Sequence, residues 1–293
     1  MKNSSVGYLL VVAASVLWGT MGILGKMAFE HGITPVTLTA LRISITSVIV
    51  LIPLFLFRKK LLEVNKKDVT SLLILGVFAV AFQRIAYFYA VELTTATIAA
   101  ILFYTYPIFI TIYATAYLKK KATFITAFSV GTAFFGTVLV MKAYELSWLS
   151  INVWGIASGF LSSLLFAVYF MTTKKLRDSY TNWTLLAYGD GIGAITLSPA
   201  LFFSFSELAT YSSQLWALIL IIALIPSLTA YLIFSYALKY VNPSKGSILS
   251  VIEPLSAALF SATILGETLE PPQLLGAALS LIGIATLFYK SKI

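Results

Sequence analysis

Residues 35–60 read PVTLTALRISITSVIVLIPLFLFRKK. Between Pro35 and Phe57 the only charge is Arg42, and the apolar run stops at Arg58-Lys59-Lys60. About 20 predominantly apolar residues carry an α-helix across the hydrocarbon of a bilayer. A cationic cluster directly after such a run marks the end that stays in the cytoplasm. Working outward from this segment, the same pattern places spans at about 7–29, 35–57, 69–91, 95–117, 122–141, 151–173, 182–205, 214–239, 244–265 and 271–289. The reading is an all-α integral membrane protein of ten transmembrane helices.

Composition agrees with that reading. Hydrophobic residues fill 59% of the 293 positions and charged residues 11%, with a mean hydropathy of +0.94. Soluble domains use roughly 45–50% apolar and 25% charged residues and would have no place to bury such a surface. The short connections leave no room for a separate soluble domain. Lys2 followed by an apolar run resembles a signal peptide, but the run passes Trp18 and reaches Phe29, so it is expected to stay as the first span. Cysteine is absent, which removes disulfides, thiolate metal sites and cysteine nucleophiles. The formal charge of +9 lies in membrane-flanking loops, which speaks for topology and against nucleic acid as a partner.

The loops alternate in sign. Lys2, the 58–67 cluster, Lys119 to Lys121, Lys174, Lys175, Arg177, Lys239, Lys245, Lys290 and Lys292 put 16 of the 20 basic residues on one side. Glu30, His31, Glu92, Lys142, Glu145, Glu207, Glu267 and Glu270 lie on the other. The positive-inside rule then sets both termini in the cytoplasm of a cell-membrane protein, as an even number of spans requires. Residues 88–140 also align without gaps on positions 147 later, where Tyr89, Ala90, Pro107 and Gly136 meet Tyr236, Ala237, Pro254 and Gly283. The chain therefore divides into units 1–145 and 146–293. Five crossings per unit turn the second copy upside down, the arrangement of many secondary transporters.

Five ionisable groups stand inside the spans: Lys26, Arg42, Arg84, Asp190 and Glu253. Each costs at least ~2.5–3.5 kcal/mol at a helix centre, so it faces a cavity or a partner. Lys26 and Arg42 are near enough to the outer surface that snorkelling to the headgroups is a second reading. Asp190, among Gly189, Gly191 and Gly193, admits a purely structural salt bridge. Arg84 and Glu253 are the deepest, with Arg84 expected near Glu253. Pro107 and Pro254 occupy equivalent repeat positions and deprive the carbonyls of Phe103 and Ser250 of their usual partners. Paired interruptions point to a midplane site, a plain kink being the alternative. Thr97, Tyr104, Thr111 and Thr115 share one helix face, as do Ser250 and Glu253. Gly19, Gly22, Gly25, Gly155 and Gly159 suit close helix packing. The string from Gly189 to Ala194 lacks the strand-turn-helix context of a dinucleotide loop.

Trp18-Gly19 with Lys26, Pro35 through Arg42, and Ser247 to Gly283 carry a family likeness. The last stretch, with Glu253-Pro254, Gly266-Glu267 and Gln273-Leu274-Leu275-Gly276, is the most specific. In these segments the chain resembles EamA-type members of the drug/metabolite transporter superfamily. The resemblance implies ten helices in two inverted five-helix repeats, alternating access, and small metabolites or amino acids as cargo, often exported. One departure is that Lys119 and Lys120 stand where the second repeat has Gly266-Glu267, so no acidic role is carried over to the first half.

The expected function is secondary transport of a small, zwitterionic molecule across the lipid bilayer, in the export direction. The candidate substrate-binding residues are Trp18, Lys26, Arg84, Tyr87, Tyr104, Ser250 and Glu253, with Tyr106 beside them. Glu253 is also the candidate for proton coupling. No cofactor, metal or catalytic group is expected, since the chain lacks His-Glu-x-x-His and Gly-x-Ser-x-Gly. A channel or a membrane scaffold is the alternative.

Overall fold

The computed structural model describes residues 2–93, 99, 102–116, 123–140, 152–264 and 269–289, and all regular structure among them is helical. Helices α1 (Lys2–Gly19), α2 (Met21–Phe29) and α3 (Pro35–Phe57) open the chain. They are followed by α4 (Val69–Leu73), a π-helical stretch at Ile74–Phe82, and α5 (Gln83–Leu93). Then come α6 (Tyr106–Ala116), α7 (Phe124–Val140), α8 (Val153–Leu176) and α9 (Asn182–Phe203). After the short α10 (Phe205–Leu208), α11 (Ser213–Ile222), a second π stretch at Ala223–Thr229, and α12 (Ala230–Ala237) form one rod. The last helices are α13 (Pro243–Leu249), α14 (Ile252–Ile264) and α15 (Pro271–Tyr289). Among the described residues six helical segments are long and apolar enough to cross a membrane, from Ser5–Phe29 to Ser213–Ala237.

The molecule is multi-pass and inverted in polarity relative to a soluble protein. Phe55, Leu56, Phe57, Phe202 and Phe203 point outward with more than half their surface exposed, whereas Arg42, Arg84, Asp190, Ser162 and Ser163 are buried. Exposed aromatic and aliphatic side chains suit a hydrocarbon solvent. The long helices begin where the sequence supplies caps. Thr34 Oγ1 accepts from Thr37 N at 3.2 Å ahead of Pro35, and Thr181 Oγ1 accepts from Thr184 N at 3.2 Å.

Those two caps are 147 positions apart, and the same interval recurs through the fold. The π stretches end at Phe82 and Thr229. The fourth and ninth apolar segments are each interrupted, by turns at Tyr104-Thr105 and at Ser250-Val251, within one residue of that interval. Repeat-related helices also lie side by side and antiparallel. In the α7/α15 pair, a Cβ on Gly136 would meet Gly276 O at 2.5 Å, and one on Gly283 would meet Ser129 O at 2.8 Å. Shifting either contact by the interval produces the other, the reciprocity of a two-fold contact. In the α3/α9 pair, Thr37 Oγ1 lies 3.1 Å from Ser204 Oγ, and Thr184 Oγ1 donates to Leu61 O at 2.8 Å.

Two local expectations need amendment. The first apolar segment is not one helix: it breaks at Thr20, whose Oγ1 donates to Leu17 O at 2.7 Å. There Gly19 allows α14 so close that an added Cβ would lie 3.0 Å from Glu253 O. The Ser250 carbonyl, freed by Pro254, accepts instead from Glu253 N at 2.9 Å, a tightened turn that re-satisfies the backbone.

Candidate functional site

Arg84 is the second residue after the first π stretch. An extra residue per turn rotates everything that follows about the helix axis, and here it leaves Arg84 pointing into the bundle, 6% exposed. Asp190, 4% exposed, comes from α9, where Gly189, Gly191 and Gly193 let neighbouring helices close in. Gly193, for instance, faces Gly76 O at 3.5 Å from its would-be Cβ. Arg84 Nη1 and Asp190 Oδ1 form an ion pair at 3.7 Å, longer than a direct hydrogen bond. Asp190 Oδ2 accepts from Thr46 Oγ1 of α3 at 2.7 Å. The guanidinium carbon of Arg84 lies 4.9 Å from the centre of the Tyr231 ring, a cation–π contact.

Arg42, also from α3, completes the cluster. It is 5% exposed and electrostatically coupled to Arg84, Asp190 and Tyr231; its Nη1 reaches Met21 Sδ at 3.2 Å. It therefore faces the interior rather than the headgroups. A small cavity of ≈ 10 Å³ adjoins the cluster, lined by Arg84, Asp190, Tyr169, Tyr231 and Ser235 among others.

Glu253 heads a second group. Partly buried at the start of α14, it shares a side-chain hydrogen bond with Tyr104 and lies within electrostatic reach of Tyr87 and Tyr106. Tyr106 OH donates to Ser247 O at 3.3 Å, tying the two interrupted segments together. Thr105 Oγ1 turns to Leu102 O at 2.6 Å and contacts Ser163 Oγ at 2.8 Å, which anchors the break against α8. Ser250 is fully buried with its hydroxyl turned back to Gly246 O at 2.9 Å.

An aromatic bridge joins the two groups. Trp18 meets Tyr231 at 4.9 Å and Phe166 at 6.2 Å between ring centres. Phe166 meets Tyr106 and Phe103, each at 4.9 Å. Phe103 continues to Tyr87 and Tyr104, each at 5.5 Å. Offset and edge-on ring contacts of this kind build a rigid apolar wall with polar hydroxyl tips.

The structure thus brings Trp18, Tyr87, Tyr104, Tyr106 and Glu253 into one connected region with Arg84. It places Asp190, not Glu253, beside Arg84. The side chains of Lys26, Thr111 and Thr115, and all of Thr97, lie outside the described residues. Tyr231, Tyr169, Thr46 and Phe166 were not singled out by sequence. For Tyr231 a signal existed, because it stands 147 positions after Arg84. Glu253 stands at the same interval after Tyr106. In both pairs the two residues separated by this interval come together in the fold.

The model of the EamA-like transporter family matches residues 5–142 and again 153–289. An uncharacterized transporter of Archaeoglobus fulgidus is 30% identical over 224 residues, covering 76% of this chain and 77% of that one. The uncharacterized inner membrane transporter YicL of Salmonella typhimurium is 26% identical over 299 residues, covering 100% and 98%. A solved crystal structure at 15% identity shares the fold with a TM-score of 0.80 over 98% of both chains. Two family matches cover nearly the whole sequence, and relatives named transporters align along most of it: the chain belongs to the EamA-like transporter family.

Proposed function

We propose that the protein is a secondary transporter of ten spans in two inverted repeats, 1–145 and 146–293, with both termini in the cytoplasm of the cell membrane. Its cargo is a small amphipathic metabolite, an amino acid or similar zwitterion, moved outward by alternating access. The observation that carries this reading is the pair of breaks at Tyr104-Thr105 and Ser250-Val251, which fall within one residue of the 147-residue interval, the second just ahead of Glu253. Interrupted helices at matching repeat positions provide binding sites deep in the membrane in secondary transporters. The reciprocal contacts of Gly136 and Gly283 support the inversion. The cationic cluster at Arg84 and the acid at Glu253, with rings between, suit a molecule charged at both ends and apolar in the middle.

The test is reconstitution. Purified protein in proteoliposomes, loaded with a metabolite mixture, is expected to show saturable counterflow of at least one amino acid against its labelled counterpart. Flux that rises linearly with concentration and shows no counterflow would overturn the reading in favour of a channel.

A further inference from the structure

The buried cluster around Asp190 carries two cations and one anion. A guanidinium does not lose its proton in a protein, so Arg42 and Arg84 both count as positive. The charged or titratable side chains acting on Arg84 are Arg42, Asp190, Tyr231 and Tyr169, and those acting on Arg42 are Arg84, Tyr231 and Asp190. Among the described residues one positive charge is left without a counter-ion in a buried region, a condition that calls for an anion. The hydrogen bonding points the same way. Arg84 Nε and Nη1, Arg42 Nε and Ser235 Oγ are buried with no hydrogen-bond partner among the described residues, and Arg84 and Ser235 line the ≈ 10 Å³ cavity.

We propose that Arg42 and Arg84 are the subsite for a single carboxylate of the cargo. In this assignment Asp190 stays in place as a resident counter-ion that sets the charge accepted at minus one. The assignment rests on the transporter reading and gives its cargo a definite charge at one end. Thr46 holds Asp190 Oδ2 at 2.7 Å, so Asp190 has a fixed seat. Its Oδ1 stands 3.7 Å from Arg84 Nη1, which leaves that N–H for a second acceptor. A carboxylate added beside Asp190 neutralises the cluster. A dianion leaves one negative charge in excess next to Asp190, and a neutral amide leaves the positive charge uncompensated; both are disfavoured by charge. The cavity has room for about one water molecule, so the carboxylate enters when the two halves part.

Three probes with the same benzyl body separate the cases: phenylalanine, phenylalaninamide and benzylmalonate, each titrated against the thermal stability of the purified full-length protein. Wild type is expected to respond to phenylalanine at a concentration roughly 10- to 100-fold lower than to the other two. Arg42→Met keeps the Arg84–Asp190 pair and removes the surplus cation, so it is expected to lose the preference for phenylalanine over its amide while eluting as a folded monodisperse species. Asp190→Asn is expected to move the preference toward benzylmalonate by roughly 10-fold. Absence of a carboxylate-dependent response in wild type, or an unchanged ranking in a folded Arg42→Met protein, overturns the subsite. Counterflow of a cargo without any anionic group would do so too while leaving the transporter reading intact; loss of all counterflow would instead remove that reading.

Discussion

At the scale of single residues, Glu253 and Arg84 have exchanged the relation the sequence suggested. Arg84 is neutralised by Asp190, whereas Glu253 is held by the Tyr104 hydroxyl among tyrosines and, among the described residues, no cation acts on it. A carboxyl with no fixed counter-charge can take up and release a proton without breaking a salt bridge, which suits proton coupling. Glu253→Gln preserves shape and one acceptor for Tyr104. It is expected to lower proton-driven transport at least about 10-fold and to flatten the pH profile of transport, with expression and elution unchanged. A variant with wild-type rates and pH dependence would remove Glu253 from the mechanism. Asp190 was legible as an ionisable intramembrane residue, but its partner was not, because Arg84 precedes it by more than a hundred positions and pairing depends on how each helix is rotated.

At the scale of elements, the α7/α15 pair is the most tightly specified contact. Gly136, Gly276 and Gly283 bring the two backbones together, with Gly276 so close that a Cβ would sit 2.6 Å from Gly136 O. Lipid offers apolar side chains as good a solvent as protein does, so close backbone packing is what holds such helices together. Gln273 Nε2 adds a hydrogen bond to Val140 O at 2.9 Å. Gly136→Ala and Gly283→Ala must push the helices apart, at about 1–3 kcal/mol each. Each is expected to lower the thermal midpoint of the detergent-solubilised protein, and by similar amounts because the two positions are repeat mates. Unchanged midpoints would show that the helices already pack more loosely. Sequence showed these glycines at matching positions but not the antiparallel contact between them. The π stretches left no mark in hydropathy, since one extra residue in a turn alters neither apolar length nor charge.

At the scale of the whole molecule, orientation is the quantity most open to test. The 16 basic residues gathered on one side of the apolar segments predict that Glu63 faces the cytoplasm and Glu207 the outside. The chain has no native cysteine, so Glu63→Cys and Glu207→Cys each place a unique thiol. An impermeant maleimide added to intact cells is expected to label position 207 and to reach position 63 only after permeabilisation. The opposite pattern would invert the topology and with it the direction of transport.

The sequence by itself determined where the apolar segments begin and end, the membrane as solvent, and the 147-residue interval between the halves. These depend on local composition and on counting, and an apolar run has the same length whatever it packs against. The partners came from the three-dimensional arrangement alone: Asp190 answers Arg84, Arg42 turns inward, Arg84 meets Tyr231, and Tyr106 lies close to Glu253. Each depends on the rotation of a helix about its own axis and on backbone approach at glycines such as Gly76 and Gly193. Buried charge finds its partner across the bundle, and that distance in space is not written along the chain.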